Sequence, residues 1–198
     1  MRLRRQDGCY SKYMSFSITS KLVTYNYKFT NDYINEGMIS TQTVNSVNMG
    51  YDFKKLGYEY NGSMAVLQTI LDEYLFNEVR AKGGAYGVKT YIDRDGKILF
   101  YSSRDPNIIE TLNAFKGAAS YIRGFYADQQ EMTNYIISTI SRIDGELYSG
   151  SISNACASQS YFMMGGSKEL YQKEREEILH TTAEDIRALA DVIQAVID

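Results

Sequence analysis

The spacing of apolar side chains predicts one long amphipathic helix in the first half of the chain. From Ser63 to Val79, apolar residues recur every three or four positions, which places them on one face of a helix. Lys82-Gly83-Gly84 follows, and glycine readily takes the left-handed conformation that ends a helix. We therefore expect the helix to end at the glycine pair and the chain to reverse there. The apolar positions are Met64, Leu67, Ile70, Leu71, Tyr74, Leu75 and Val79.

Predicted strands lie on both sides of this helix. Residues 41–49 are β-prone and end before Gly50, so we expect them to form the first strand of the core. Residues 86–92 and 97–103 are predicted strands on the far side of the glycine pair. The turn Asp93-Arg-Asp-Gly96 joins them, and its Asp-Gly pair tolerates a positive φ. Together these two segments predict a β-hairpin.

The rest of the chain is predicted to be mostly helical. Asp105 before Pro106 is typical of an N-cap acid followed by the first helical residue, which predicts a helix to about residue 125. A second helix is expected from about 128 to 144, and residues 168–179 form a charged helix with much of its surface in water. Thr181 with Glu184 is a capping-box pattern that opens the last helix. This order predicts an α+β fold, in which an antiparallel-type sheet is covered on one face by helices.

Composition and charge narrow the range of partners. The 198 residues are 44% hydrophobic and 23% charged, which is typical of folded globular domains. Lys and Arg number 21 against 24 Asp and Glu, and the net charge of -3 gives no broad attraction to phosphate backbones. Nowhere do about 18 apolar residues run together, the length that a membrane-spanning helix needs. We therefore expect no nucleic-acid partner and no membrane partner.

Cysteine and histidine usage bears on location and on metal binding. Two cysteines, Cys9 and Cys156, do not form the dense disulfide framework of a small secreted domain. The basic start at residues 1–5 is followed by polar residues where a secretory signal has an apolar segment. We therefore expect a reducing, cytoplasmic location. The single histidine, His180, argues against a complete zinc site in this chain and is expected to be a surface residue beside a helix.

The segment with the clearest chemical potential follows the long helix. Arg80 lies at the helix end, Gly83 and Gly84 turn the chain, and Tyr86 opens the next strand. Arginine is a permanent cation with several donors, the tyrosine hydroxyl is a directed donor, and glycine lets the backbone approach a ligand closely. Together they could stabilise charge that develops on a carbonyl oxygen. A structural role, with Arg80 capping the helix and Tyr86 in the core, accounts for the same residues and stays open.

The same segment resembles a known protein family. Tyr74-Leu-Phe-Asn-Glu-Val79, followed by Arg80-Ala-Lys-Gly-Gly-Ala-Tyr86-Gly87, is similar to the last domain of pitrilysin/insulinase-family zinc metallopeptidases, in the presequence-protease and falcilysin branch. The similarity extends from about Asn35 through Gly57-Tyr-Glu-Tyr60 and Ser102-Ser-Arg-Asp-Pro106 towards the C-terminus. Residues 33–198 would then be a C-terminal peptidase-family domain without zinc ligands. Its fold would be the metallohydrolase-like domain of the mitochondrial processing peptidase type.

The resemblance implies a four-domain protease whose two halves close around an internal chamber. Its zinc would be bound by another domain through an inverted H-x-x-E-H motif, and this chain would bind none. Arg80 and Tyr86 would be catalytic residues that contact the substrate near the scissile carbonyl, with Gly84 among the substrate-binding positions. The implied partners are the N-terminal zinc-binding domains of the same protease, on the same or a separate chain, and an unfolded peptide substrate.

Two functional hypotheses follow from these features. The H-x-x-E-H motif needs two histidines and this chain has one, so we expect the chain to be inactive alone. It would complete a zinc endopeptidase that degrades short unfolded peptides. The alternative is a non-catalytic binding or assembly subunit on the same fold. Intact Arg80 and Tyr86 favour the first hypothesis, which requires both side chains to be exposed on one face. Residues 1–32 match nothing in this family and are expected to be a leader or the remnant of a preceding domain.

Overall fold

A computed structural model describes residues 35–39, 41–147 and 168–198 of the chain. The chain divides into two compact units, Met1–Ser40 and Thr41–Asp198. The described helices and strands all belong to the second unit. The predicted leader at residues 1–32, together with Cys9 and Cys156, lies outside the described residues. The elements are β1 Asn45–Asp52, a 3-10 helix Phe53–Leu56, α1 Ser63–Leu75, a π-helix Phe76–Lys82, β2 Gly87–Ile92, β3 Lys97–Asp105, α2 Ile109–Arg123, α3 Gln129–Leu147, α4 Lys168–Leu179, α5 Ala183–Ala188 and α6 Ala190–Ile197.

The three strands form one antiparallel sheet in the order β1-β3-β2. Phe100 in the central strand stands opposite Met49 of β1 and Thr90 of β2. Because successive side chains of a strand point to opposite faces, Phe100 is buried while its neighbour Leu99 is partly exposed on the other face. Helices α1, α2 and α6 contact the sheet. The predicted α+β fold, with helices over one face of an antiparallel sheet, is confirmed.

The long predicted helix ends at the glycine pair, as expected. Its apolar face is buried along the whole length, from Met64 through Ile70 and Leu75 to Val79. The last seven residues before Gly83 are π-helical, which the sequence did not predict. A π-helix winds slightly wider than an α-helix, and such segments are rare and are frequently found at functional sites. The hairpin after the glycine pair, β2 and β3, is confirmed.

Two predicted boundaries before and after the hairpin are wrong. The first strand begins at Asn45 and runs to Asp52, four residues after the expected start. The helix after the hairpin begins at Ile109, so Pro106 is not its first residue. Asp105 is not an N-cap, because it is the last residue of β3 and its side chain is fully buried.

The C-terminal helices also differ from the prediction in detail. The capping box lies one position after the predicted pair of Thr181 and Glu184. The hydroxyl of Thr182 accepts the Asp185 N–H at 3.2 Å, and the Asp185 carboxylate accepts the Thr182 N–H at 2.8 Å. Thr181 is unavailable because it is buried and its hydroxyl donates to a carbonyl of α4 at 2.9 Å. The predicted last helix is two helices, α5 and α6, and α3 extends three residues beyond its predicted end.

The charged helix α4 is held against the hairpin by an ion pair that is largely, though not fully, buried. Arg94 in the hairpin turn pairs with Glu174, and these side chains are only 16% and 11% exposed. The guanidinium of Arg94 also lies 5.0 Å from the ring centre of Tyr171 and 5.7 Å from that of Tyr60. The Tyr60 hydroxyl donates to Glu174, and burial raises the pKa of that hydroxyl, which keeps it protonated as a donor. Much of α4 faces water, as predicted, but the part of the helix that carries Tyr171 and Glu174 packs against the hairpin turn.

Replacing Arg94 with alanine should lower the free energy of unfolding by about 3 kcal/mol, because Glu174 would stay largely buried without its cation. Urea denaturation followed by circular dichroism measures the change. Arg123→Ala is the matched control, since Arg123 pairs with Asp191 on the surface and its loss should change stability by less than about 1 kcal/mol. Equal losses in the two variants would contradict the role of the Arg94 contact.

Candidate functional site

The candidate site begins where the π-helix meets the glycine turn. The N–H of Gly84 donates to the carbonyl of Arg80 at 2.9 Å, and the N–H of Ala85 donates to that of Val79 at 3.2 Å. Gly84 has a φ of +80°, which glycine adopts without steric strain. At Gly83, a Cβ would lie 2.5 Å from the Val79 carbonyl oxygen. The tight reversal therefore favours glycine at both positions, through sterics at Gly83 and through the positive φ at Gly84.

Arg80 projects from the π-helix and is exposed. Its guanidinium lies 5.2 Å from the ring centre of Phe76, one turn earlier. Lys82 pairs with Glu78 at 2.6 Å, whereas Arg80 has no carboxylate partner among the residues that the structure describes. Its N–H groups are therefore available to a ligand. The structural alternative, in which Arg80 caps helix carbonyls, is not what the side chain does here.

Tyr86 lies at the other end of the same turn and is 67% exposed. Its backbone N–H donates to the carbonyl of Arg104 at 3.4 Å, and the Arg104 guanidinium lies 5.0 Å from its ring centre. Within the described ranges, its hydroxyl has no hydrogen-bond partner. Tyr86 is thus not a core aromatic. The structure brings Arg80, Gly84 and Tyr86 to a single turn, where both polar side chains reach solvent.

Arg104 belongs to this site, and the sequence did not single it out. The pairing of β1 with β3 shifts between Asn45 and Ser46, whose partners are Asp105 and Ser103, so Arg104 is an extra residue in β3. Such a β-bulge re-aims side chains and often lies beside an active site. In the described residues, Arg104 is the only non-glycine position with a positive φ, at 46°. Two signals were available: Arg104 lies inside the string Ser102-Ser-Arg-Asp-Pro106 that carries the resemblance, and the proline two residues later cannot belong to a central strand.

The bulge also turns Asp105 into the core. Its carboxylate accepts the hydroxyls of Ser102 and Thr111, both at 2.7 Å, and the backbone N–H of Asn107 at 2.9 Å. The Asn107 side-chain amide in turn donates to the carbonyl of Gly83 at 2.6 Å. One buried carboxylate therefore connects the end of β3, the first turn of α2 and the glycine turn that carries the candidate site.

The described residues contain neither a cluster of metal ligands nor a membrane-spanning helix. There, no group of three or more His, Cys, Asp or Glu side chains could hold a metal ion. His180 is exposed, and one ring nitrogen lies 2.7 Å from the carbonyl oxygen of Glu176, so the residue flanks a helix as predicted. The described side chains therefore do not fit a zinc ion. In the same part of the chain, no helix has both the length and the hydropathy to cross a membrane.

Replacing Asp105 with alanine should destabilise the domain by about 3 kcal/mol, because two hydroxyls and one N–H lose a charged acceptor in the core. Thermal and urea unfolding measure the loss. Asp95→Ala removes a carboxylate that pairs with Lys97 on the surface, and it should change stability by less than about 1 kcal/mol. A stable Asp105→Ala variant would show that the carboxylate is not the anchor of this region.

Replacing Gly84 with alanine should lower the free energy of unfolding by about 1 kcal/mol, the typical penalty for an L-residue in the left-handed region. A steric clash does not add to this penalty, since the nearest side-chain atom, Cγ of Pro106, would lie 3.7 Å from the new Cβ. Gly84→Asn should lose less, because asparagine enters this region more readily. Urea midpoints compare the two, and equal stability of alanine and glycine at this position would contradict the positive φ.

Comparison with known proteins places the chain in a family. A family model described as the PreP C-terminal domain matches residues 35–198. Protein HypA of Clostridium perfringens is 40% identical over 169 residues, which are 85% of this chain and 17% of that protein. Presequence protease 1, chloroplastic/mitochondrial, of Arabidopsis thaliana is 34% identical over 166 residues, 83% of this chain and 15% of that protein. The chain thus spans about one sixth of the length of these relatives.

Solved structures share the fold at low sequence identity. One, described as a zinc protease from Bordetella pertussis Tohama I, aligns with a TM-score of 0.55 and 14% identity over 79% of this chain and 91% of that one. Another, described as the inactive peptidase domain of a zinc protease from Bordetella parapertussis, aligns with a TM-score of 0.55 and 12% identity over 79% and 89%. These likenesses support the α+β fold alone. The family match and the curated relatives confirm the resemblance seen in the sequence: the chain belongs to the PreP C-terminal domain family, a peptidase-family domain of the presequence-protease-like pitrilysin metallopeptidases.

Proposed function

We propose that this chain supplies Arg80 and Tyr86 to the active site of a zinc metalloendopeptidase that degrades short unfolded peptides. The observation that carries the proposal is the pair of exposed donors at one glycine turn, in a domain of this family. The described residues offer donors for a substrate but no cluster of metal ligands. The zinc ligands and the general base would therefore come from another domain of a longer protein or from a separate chain.

The chemistry of the turn suits a developing oxyanion. Attack on a peptide carbonyl places negative charge on its oxygen, and donors aimed at that oxygen lower the barrier. Arg80 would contribute a positive charge with several N–H groups, and Tyr86 would contribute one directed O–H group. Gly84 has no side chain, so a peptide backbone can come close to the turn. Zinc held by the other domain would polarise the carbonyl and activate a water molecule.

The exposure of Arg80 and Tyr86 to bulk water is a further reason to expect that the chain is inactive alone. Both side chains are exposed, and in bulk water a hydrogen bond or charge contributes little to stabilising an oxyanion. The same donors act more strongly where a second surface excludes water from the site. The proposed partner is therefore the N-terminal, zinc-binding part of the protease, with an unfolded peptide between the two surfaces. We propose no nucleic-acid or membrane partner.

Location is a separate proposal. Two cysteines in 198 residues support a reducing compartment, and we propose the cytoplasm. The Arabidopsis relative carries the description chloroplastic/mitochondrial, which is said of that protein. Fractionation of the source cells, with an antibody against this chain, would decide between the cytoplasm and an organelle.

The function is tested by cleavage of a quenched fluorescent unfolded peptide in the presence of zinc. The chain alone, the zinc-binding part alone, and a mixture of the two are compared, and we expect activity in the mixture only. Arg80→Ala and Tyr86→Phe should each lower kcat by about 10²–10³-fold, the usual loss for one oxyanion donor. Zinc-dependent cleavage by the pure chain would contradict the proposal.

Two matched variants control for general damage. Lys82→Ala removes an exposed cation two residues from Arg80, and Tyr91→Phe removes an exposed hydroxyl from the face of β2 opposite the buried Val88 and Thr90. Both should keep kcat within about twofold of the unmodified chain, since neither group belongs to the proposed site. If the two parts associate but the mixture stays inactive, the chain is better described as a non-catalytic binding or assembly subunit.

A further inference from the structure

We propose that Arg104 is a positioning residue that holds the ring of Tyr86 in the orientation the peptidase reaction requires. This inference rests on the function proposed above, in which the Tyr86 hydroxyl contacts the substrate. The supporting observations are independent of the sequence resemblance: a backbone conformation that disfavours arginine, a direct contact with the Tyr86 ring, and a charge that no described carboxylate neutralises.

The backbone at Arg104 is unfavourable for its side chain. A φ of 46° places it in the left-handed region, where the Cβ crowds the following carbonyl oxygen. Bulged residues with this conformation are usually glycine, and asparagine or aspartate can be stabilised there by local hydrogen bonds. Arginine has no such compensation. Strained positions of this kind cluster at functional sites, and here the bulge leaves the Arg104 side chain exposed.

The outward side chain meets Tyr86. The guanidinium lies 5.0 Å from the ring centre, within the range of a cation–π contact, and a backbone bond of 3.4 Å joins the Tyr86 N–H to the Arg104 carbonyl. The backbone bond sets the distance between the two residues, and the cation then covers one face of the ring. The hydroxyl at the edge of the ring is left uncovered and can donate to a substrate.

The charge of Arg104 is not used elsewhere in the described part of the chain. The neighbouring carboxylate of Asp105 points into the core and accepts from Ser102, Asn107 and Thr111. Arg104 has no ion pair with any described carboxylate. Its attraction to the ring therefore competes only with hydration, and it strengthens when another domain excludes water. The contact would be firmest in the closed, working enzyme.

The mechanism is a restriction of rotamers. An exposed tyrosine at a strand end can occupy several staggered χ1 positions, and only some of them present the hydroxyl to the substrate. A cation held over one ring face favours a single position, so the donor is oriented before the substrate arrives. The pair formed by Arg80 and Phe76, with 5.2 Å from the guanidinium to the ring centre, has the reverse arrangement, in which an aromatic ring steadies the cation.

The first test separates function from stability. Arg104→Gly relieves the backbone strain, so its thermal midpoint should be unchanged or up to about 4 °C higher. In the zinc-containing mixture its kcat should nevertheless fall by about tenfold, with KM nearly unchanged. Arg104→Lys keeps a cation that can lie over the ring, and it should recover part of the loss. A parallel fall of stability and activity in Arg104→Gly would overturn the proposal.

A double-mutant cycle tests whether Arg104 acts through Tyr86. In a Tyr86→Phe background the hydroxyl is absent, so Arg104→Gly should cause no further loss of kcat. An additional tenfold loss would show that Arg104 contacts the substrate by itself, and the positioning role would be wrong. If Tyr86→Phe has normal activity, the proposed function is wrong, whatever the effect of Arg104→Gly on kcat.

An NMR measurement on the full chain needs no activity. The χ1 couplings of Tyr86 and the ring-current shift of the Arg104 Hδ protons are recorded in the unmodified chain and in Arg104→Gly and Tyr86→Leu. We expect one dominant Tyr86 rotamer in the unmodified chain, averaging among rotamers in Arg104→Gly, and loss of the upfield Hδ shift in Tyr86→Leu. An unchanged Tyr86 rotamer distribution in Arg104→Gly would refute the inference even if the mixture is inactive.

Discussion

The candidate site depends on one buried carboxylate. Asp105 can reach the core only because the bulge at Arg104 inserts one residue into β3, and it then accepts hydrogen bonds from β3, α2 and the connecting loop. Through Asn107 the same anchor reaches the carbonyl of Gly83. One turn after Thr111, Phe115 fixes α2 to the sheet. Its ring stacks on the ring of Phe100, with 5.5 Å between the two ring centres. Strand, helix and turn therefore keep one arrangement.

This support explains how exposed side chains can still be well placed. The glycine turn contains both buried and exposed residues: Val79 and Ala85 are buried, whereas Arg80, Gly84 and Tyr86 are exposed. The buried residues fix the backbone, and Arg80 and Tyr86 each make one cation–π contact, with no ion pair to a described carboxylate at Arg80. A guanidinium held in this way keeps its N–H groups for a ligand, which an ion pair with a carboxylate would occupy.

The sequence predicts those parts of this arrangement that depend on local chemistry. The apolar spacing from Ser63 and the glycine pair identify the long helix and its end, and the Asp93-Arg-Asp-Gly96 turn identifies the hairpin. Asp105 before Pro106 was misread, because an acid before proline suits an N-cap locally, while the fold uses that carboxylate in the core. Arg104 was missed because its contact joins the end of β3 to Tyr86, the residue before β2, which is distant in the sequence. Such a contact leaves no spacing pattern in the sequence.

Two irregular backbone features flank the glycine turn. The π-helix carries Arg80 on one side, and the bulge with positive φ carries Arg104 on the other. Among the described residues, positive φ otherwise occurs only at Gly57, Gly84 and Gly96, where the conformation carries little strain. The bulge serves the fold by turning Asp105 into the core, but packing gives no reason for arginine rather than glycine at its strained position, because the exposed Arg104 side chain buries little apolar surface. A site that needs two oriented donors beside a turn that a peptide backbone can approach closely does give such a reason. In that case the strain is retained for the chemistry rather than for the stability of the fold.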